Sequence, residues 1–342
     1  MKIFSLLFSF SLFTHSWADV SIDLEEMAQE FVLETKRIEI PGYPYAFNPS
    51  MIRWNGYILM SFRLIPDPKL CYNSVLGLIL LDGNFDPIGE PQIFSMRETG
   101  SLIPPRAEDA RLFYIGDRLY IAYSDNRNMM INRGGFRMEI GEIHYDSGLF
   151  SIRNVQRLTE YEGEDSNVRE KSWVPFEYQG SLFLAYNIMP HLIFCPIQGT
   201  DRCDTVTMTH PQINWNWGIV RGGTPALQLE NGEYLAFFHS VKKMASIHSK
   251  GKETAHYFLG AYTFNGEFPF QITQFSPEPI VGRGFYTGAT YKPYWAPIQC
   301  VFPAGLIIED DSIFVSYGRQ DHEIWIAKLD KSKLLSSLSS VN

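Results

Sequence analysis

Residues 108–125 read EDARLFYIGDRLYIAYSD. Two apolar runs flank the dipeptide Gly116-Asp117, and a polar group stands at each outer end. Gly and Asp tolerate the positive φ of a two-residue hairpin turn, so this stretch predicts two antiparallel strands with polar residues at their open end. Four relatives of it recur: FNPSMIRWNGYILMSFR at 47–63, EKSWVPFEYQGSLFLAYN at 170–187, GGTPALQLENGEYLAFFHS at 222–240 and FPAGLIIEDDSIFVSYGRQD at 302–321. Their turns are Asn-Gly, Gln-Gly, Asn-Gly and Asp-Asp. The strand after each turn is rich in Ile, Leu, Phe and Tyr.

The spacing between copies leaves room for two more strands apiece. GEIHYDSGLF (141–150) and YFLGAYTF (257–264) are such segments, and long periodic helices are absent from the sequence. Recurrence at a fixed scale decides the architecture first. Five hairpins with two outer strands each predict an all-β fold, one five-bladed β-propeller over residues 19–335. A β-sandwich also supplies short strands but does not explain the recurrence.

Residues 1–18, MKIFSLLFSFSLFTHSWA, carry a Lys, an apolar run and a small-x-small ending at Ser16 and Ala18. This reads as a cleaved signal peptide, and the protein is expected to be secreted or periplasmic. The apolar run is short and interrupted for a membrane anchor, and no later stretch is long enough to span a bilayer, so no membrane insertion is expected after cleavage. In an oxidising compartment the four cysteines invite two disulfides, Cys195–Cys203 across a short polar loop and Cys71–Cys300. The spacings suit no metal site, and none is expected. Lys and Arg number 29 against 38 Asp and Glu, a net charge of −9. That sign argues against nucleic acid as a partner.

In a propeller the innermost strands line the axis, so one end of every hairpin opens into a common funnel. Asn48, Glu108, Asp109, Glu170, Lys171 and Arg221 stand at the openings. Arg63, Asp125, Asn187, His191, His239, Arg319 and Asp321 stand at the closings. Carboxylates, cations and amides converging on one pocket suit the binding of an oligosaccharide or glycan, with aromatic residues as platforms.

The ordered pieces Asn48-Pro49 with Arg63, Glu108-Asp109-Ala110-Arg111, Glu170-Lys171-Ser172-Trp173, Gly222-Gly223-Thr224-Pro225 with His239, and Phe302-Pro303-Ala304-Gly305 with Tyr317-Gly318 and Asp321 carry a resemblance. The sequence resembles glycoside hydrolase family 130, the β-mannoside phosphorylases and hydrolases, and the related protozoan β-mannosyltransferases. The resemblance implies a five-bladed propeller and hydrolysis, phosphorolysis or mannosyl transfer at β-mannosidic bonds. It implies that Asp109 is the proton donor, its carboxyl raised by desolvation and by Glu108, and that Asn48, Arg63 and Asp321 hold the sugar. Glu108, Arg111 and Asp125 complete the expected substrate-binding set. Inorganic phosphate is the implied co-substrate, no other cofactor is called for, and Lys171, His191, Arg221, His239 and Arg319 are the cations available to it.

Two pieces depart from the family pattern. Ala110 stands where Pro is usual, and Tyr186–His191 replaces a His-Arg-Pro-like stretch. A hydrolase would use a carboxylate base in place of phosphate, and Glu170 is the candidate. Two other readings stay open at this stage: a non-catalytic glycan-binding propeller, and a five-bladed glycosidase of the arabinanase or fructosidase type.

Overall fold

A computed structural model describes residues 22–67, 73–94, 106–126, 135–163, 169–288 and 298–341. The expected signal peptide, Cys71 and the aromatics Tyr291, Tyr294 and Trp295 lie outside the described residues. Five antiparallel sheets follow one another along the chain, and the fold is a five-bladed β-propeller. Blade 1 runs Phe47–Trp54, Tyr57–Leu64, Val75–Leu81, Pro87–Phe94, from axis to rim. Blade 2 runs Ala107–Ile115, Arg118–Asp125, Arg137–Asp146, Leu149–Leu158. Blade 3 runs Val174–Tyr178, Ser181–Asn187, His191–Pro196, Cys203–Thr209. Blade 4 has a broken inner edge, Ile219–Gly222 and Leu227–Gln228, then Tyr234–Met244, Thr254–Phe264 and Ile272–Phe275.

Blade 5 is assembled from both ends of the chain. Val301–Glu309, Ser312–Arg319 and Glu323–Asp330 come from the C-terminal part, and Val32–Ile38 supplies the outer strand. This pairing closes the ring, because it ties the first strand to the last blade. A short helix, Lys331–Ser337, is capped by Asp330. Ser339–Ser340 then pairs with Ile272–Phe275 at the rim of blade 4, so the fold runs past the expected boundary at 335.

Two of the hairpin turns have positive φ at both central residues, and in the other three only Gly116, Gly232 or Asp310 does. Asn55 and Gly56 both have positive φ (47° and 80°), as do Gln179 and Gly180 (51° and 76°). This mirror-image turn matches the right-handed twist of the strands it joins. Buried apolar side chains form one cluster at each of the five interfaces between neighbouring blades. Met60 with Ile326, Leu59 with Leu112, Phe113 with Leu184, Phe176 with Phe264, and Leu235 with Val315 are representative members. Burying each such side chain contributes about 1.5–3 kcal/mol. Stability is thus spread around the ring, and the axis is left free to carry polar groups. Within blades 1 and 4 a Phe ring lies over a facing glycine, Phe62 on Gly77 and Phe238 on Gly260. A Cβ at either glycine would enter the ring.

Candidate active site

The inner strands are irregular at the end opposite their hairpin turns. Their pairing shifts between Phe47 and Ser50 in blade 1, between Glu108 and Arg111 in blade 2, and between Pro303 and Gly305 in blade 5. Asn48 (φ 48°), Asp109 (φ 56°) and Ser172 (φ 67°) are left-handed at the matching positions of blades 1, 2 and 3. For such residues this backbone costs on the order of 1–3 kcal/mol, and it persists where the surroundings over-determine it. A bulge turns the side chain out of the strand's alternation. Here it brings Asn48 and Asp109 together.

Asp109 is the centre of the cluster. Asn48 Nδ2 donates to its Oδ1 at 2.8 Å, and Arg63 Nη1 donates to the same oxygen at 3.1 Å. Lys171 Nζ lies 3.6 Å from Oδ2. Burial pushes the Asp109 carboxyl up, but the charges of Arg63 and Lys171 and the Asn48 hydrogen bond outweigh it and hold the group well below the usual range. The expected raised carboxyl is therefore corrected: Asp109 is held ionised by two hydrogen bonds to Oδ1 and the Lys171 charge beside Oδ2.

Glu108 sits on the other side of the same cations. Its Oε2 is 2.7 Å from Arg63 Nη1 and 3.9 Å from Lys171 Nζ, and its Oε1 accepts from Asn126 at 2.7 Å. Arg63 is thus clamped between two carboxylates and lies over the Phe47 ring at 5.1 Å. Lys171 lies over Phe136 at 5.3 Å. Asp321 (φ 54°) completes the group. Burial, resisted by Arg63 and Lys171 but reinforced by Asp109 and Glu108, pushes its carboxyl up to about 6. Two carboxylates that share one pair of cations separate in their affinity for a proton, Asp109 held low and Asp321 raised.

Arg111 is buried beneath this layer. Its Nη1 donates to the Asp109 carbonyl and its Nε donates to the Gly223 carbonyl at 2.6 Å, bridging blades 2 and 4. Burial brings it down to about 10. It holds the bulge of blade 2 in place, a support for the site where substrate contact was expected. His239 faces Arg221 across blade 4 and packs on Phe302, with ring centroids 4.7 Å apart. Burial, then the charges of Arg111, Lys171 and Arg221, push it down to about 3, so it is neutral. Its Nδ1 is buried and has no hydrogen-bond partner within the protein. Arg221 itself is exposed.

Three expected site residues are engaged elsewhere. His191 begins the third strand of blade 3, away from the axis, and packs against Tyr262 and Phe264 of blade 4. Its Nδ1 lies 2.8 Å from the Phe270 carbonyl, and burial pushes it down to about 4. It is a neutral core histidine and takes no part in a phosphate site. Arg319 Nε is 2.6 Å from Glu323, and its Nη1 donates to the carbonyls of Gly284 and Thr287. Those partners hold it against the 284–287 loop. That loop is in turn gripped by Glu25, which accepts the backbone N–H groups of Gly284, Tyr286 and Thr287. Asp125 is fully buried and takes the Arg106 amide at 3.3 Å and Arg157 at 3.2 Å, a link within blade 2.

Glu170 is buried beside an aromatic wall. Tyr186 donates to its Oε1 at 3.3 Å, and burial pushes its carboxyl up against that hydrogen bond and the charge of Arg137. Phe136 under Lys171, Tyr186 on Glu170, and Tyr257, stacked on His239 with ring centroids 5.9 Å apart, therefore belong to the site. Phe136 and Tyr257 stood in no motif, and the sequence carried no signal for them.

Cys195 and Cys203 are both free, which corrects the expected disulfide. In the ladder Cys195 faces Asp204 and Cys203 faces Pro196, so the two thiols leave opposite faces of the blade. Cys300 is also free, buried beside Asp321 with its Sγ 3.8 Å from Oδ1. Among the described residues no three His, Cys, Asp or Glu side chains are grouped to hold a metal. No described helix is long and apolar enough to cross a membrane.

A family model described as beta-1,4-mannooligosaccharide phosphorylase, that of glycoside hydrolase family 130, matches residues 21–340. Among solved structures, a mannose phosphorylase from Leishmania mexicana in complex with phosphate ion is 12% identical, with a TM-score of 0.61 over 91% of this chain and 92% of its own. A putative glycoside hydrolase from Bacteroides ovatus is 16% identical, with a TM-score of 0.61 over 85% of this chain and 88% of its own. A putative glycosidase from Bacteroides thetaiotaomicron is 15% identical, with a TM-score of 0.61 over 84% and 87%. At these identities the likeness is one of fold. A comparison with the curated proteins finds no match.

Proposed function

This chain belongs to glycoside hydrolase family 130 and is an enzyme acting on β-mannosides, and from that premise we propose that it cleaves β-mannosidic bonds by phosphorolysis in the funnel around Asp109. The observation that carries this choice is the cationic wall beside Asp109. Lys171 stands 3.6 Å from its carboxylate, Arg221 faces His239 across the sheet, and the buried Nδ1 of His239 is unpartnered. Such a wall suits a phosphate dianion: Lys171 and Arg221 supply charge, and neutral His239 supplies one hydrogen bond.

The electrostatics suggest how Asp109 acquires its proton. In the funnel, burial pushes the Asp321 carboxyl up to about 6 against the charges of Arg63 and Lys171. Phosphate bound to Lys171 cancels one of the charges that hold Asp109 low, and Asp109 then rises toward protonation. Asp109 delivers that proton to the glycosidic oxygen. A phosphate oxygen forms a bond to the anomeric carbon from the opposite face as the glycosidic bond breaks. The products are mannose 1-phosphate of inverted configuration and a sugar with a free hydroxyl. Asn48 and Arg63 orient the Asp109 carboxyl while this happens.

One observation favours water in place of phosphate. Residues 1–18 read as an export signal, and a sugar phosphate made outside the cell is lost to it. We therefore also propose that the protein is exported, which N-terminal sequencing of the product made in cells tests directly. Hydrolysis would assign the base to Glu170. That side chain accepts from Tyr186, whereas the cationic wall that phosphate needs already stands beside Asp109. The deciding experiment is incubation with β-linked mannobioses with and without inorganic phosphate. Phosphate-dependent mannose 1-phosphate is expected. Free mannose formed equally without phosphate would overturn phosphorolysis and move the reaction to Glu170.

A further inference from the structure

The other end of the propeller axis has no part in this chemistry, yet it is hollow. A cavity of about 510 Å³ is walled there by the inner regions of all five blades: Arg53, Tyr114, Phe176 and Tyr178, Gln228 and Ile308. These are the turn-side ends of the strands whose far ends carry Asn48 and Asp109. Along the inner strand of blade 2, Asp109 and Tyr114 are separated by about 16 Å of extended chain. A second cavity of about 570 Å³ adjoins the first, shares Leu227, Gln228 and Ile308 with it, and continues past Asn231 to the helix Lys331–Ser337. Together they make one trough from the axis outward between blades 4 and 5.

Both cations in the trough are paired, and Asp310 adds a carboxylate toward its outer end. Arg53 is paired with Glu309, and Lys331 lies 3.2 Å from Glu230. Glu177 accepts the Gly180 amide at 2.8 Å, and Glu267 accepts from Tyr178 at 2.9 Å. An anionic ligand finds no unengaged cation among these side chains. What remains is ring surface from Tyr114 and Tyr178 beside the Gln228 amide, which gives one N–H to the Gly232 carbonyl at 3.0 Å and keeps its Oε1 and second N–H, and the Tyr114 hydroxyl, which donates to the Arg53 carbonyl at 3.1 Å and can still accept. Ring faces next to mixed donors and acceptors are what a neutral polyhydroxylated ring requires, and the volume is that of a ligand site. The elongated outline suits a chain of several such rings.

We propose that this trough is a second, non-catalytic site that binds a neutral oligosaccharide at the end of the axis opposite the funnel. It rests on the proposed function only in the choice of probe. The test titrates the full chain carrying Asp109→Asn, which prevents turnover, with β-1,4-mannohexaose and in parallel with cellohexaose and heptalysine, by calorimetry. Two binding events are expected for mannohexaose. Adding Tyr178→Ala with Gln228→Ala should weaken one of them at least tenfold. In a chain with intact Asp109, the same pair should leave mannobiose turnover within twofold. Gln228→Ala alone, exposed on the surface, should give a smaller loss of the same event if the double variant does not fold. Unchanged isotherms in the variants would overturn the proposal, as would tighter binding of heptalysine than of either glycan. Cellohexaose bound in the trough with no mannoside turned over would uphold the second site and defeat the mannoside reading. Mannobiose turnover with a single binding event would do the reverse.

Discussion

Asn48 of blade 1 donates to Asp109 of blade 2 across 2.8 Å, and both residues are left-handed at equivalent places in successive blades. The hydrogen bond crosses a blade interface and fixes the carboxylate of the second blade with the amide of the first. Gly318 of blade 5 allows this, since a Cβ there would collide with the Asn48 side chain. Three blades thus set the position of one oxygen pair. The geometry depends on the ring being closed.

Asp109→Asn should lower turnover of mannobiose by about 10³-fold or more, the scale of losing a positioned acid. The fold should persist, because the amide is isosteric and the apolar clusters between the blades do not involve it. Product formation and a thermal melt check the two halves. Retained activity at more than a tenth of the original would remove Asp109 from its role.

Lys171→Met keeps much of the contact with Phe136 and removes the charge. A hydrogen bond to a charged group contributes about 1.5–3 kcal/mol, so the KM for phosphate should rise on the order of tenfold to a hundredfold. The KM for mannobiose should change less. Initial rates over a grid of both substrates separate the two, and equal changes would argue against Lys171 as a phosphate ligand.

Asp321 has a folded-state carboxyl raised to about 6. The native chain therefore binds more protons than the unfolded chain between about pH 4 and 6. The stability linked to this group is present below the unfolded value and is lost as pH rises through 6. Asp321→Asn should melt at or above the parent at pH 8 while losing most activity. A lower melting temperature for the variant at pH 8 would contradict the raised Asp321 carboxyl.

His191 and His239 have the opposite sign. Their folded values, about 4 and about 3, lie below the ordinary 6.5. Stability linked to them is full above 6.5 and is lost as pH falls toward 4, at about 1.4 kcal/mol per pH unit and proton. His191→Gln can keep a donor to the Phe270 carbonyl and cannot titrate. Its melting temperature should fall less between pH 6.5 and 4.5 than that of the parent. Parallel curves would mean that His191 is already charged in the native state.

Cys195 and Cys203 should both alkylate in the unfolded protein without prior reduction, and peptide mapping should find no link between them. In the native protein Cys203 should react more slowly, since it is buried and its thiol is pushed up to about 12. Recovery of a Cys195–Cys203 peptide would show that the ladder register of blade 3 differs from that described.

Much of this was legible in the chain order. A hairpin turn announces itself locally, because Asn55-Gly56 and Gln179-Gly180 need a backbone that few residue pairs adopt. Repetition of that signal implies blades, and blades imply an axis. Asp109 was legible because it opens the second copy with Glu108 and Arg111. His191 misled because an ending polar residue looks alike on any strand, and only the pairing shows that it opens a third strand, away from the axis. Arg319 misled because Glu323 lies only one turn further along the chain, and the pairing across that turn was invisible. The thiols of Cys195 and Cys203 misled for a related reason: closeness along the sequence does not say which face of a blade each side chain leaves.

The sequence by itself thus determined the architecture, five aromatic hairpins closed into a ring, since turns and strand periodicity are short-range properties. Only the tertiary structure decided the chemistry of the funnel. Which carboxyl is held low and which is raised depends on distances between residues 46 to more than 200 positions apart, Arg63 to Asp109 and Asp109 to Asp321. Electrostatic energy follows separation in space and burial, and neither is written in the order of residues along a strand.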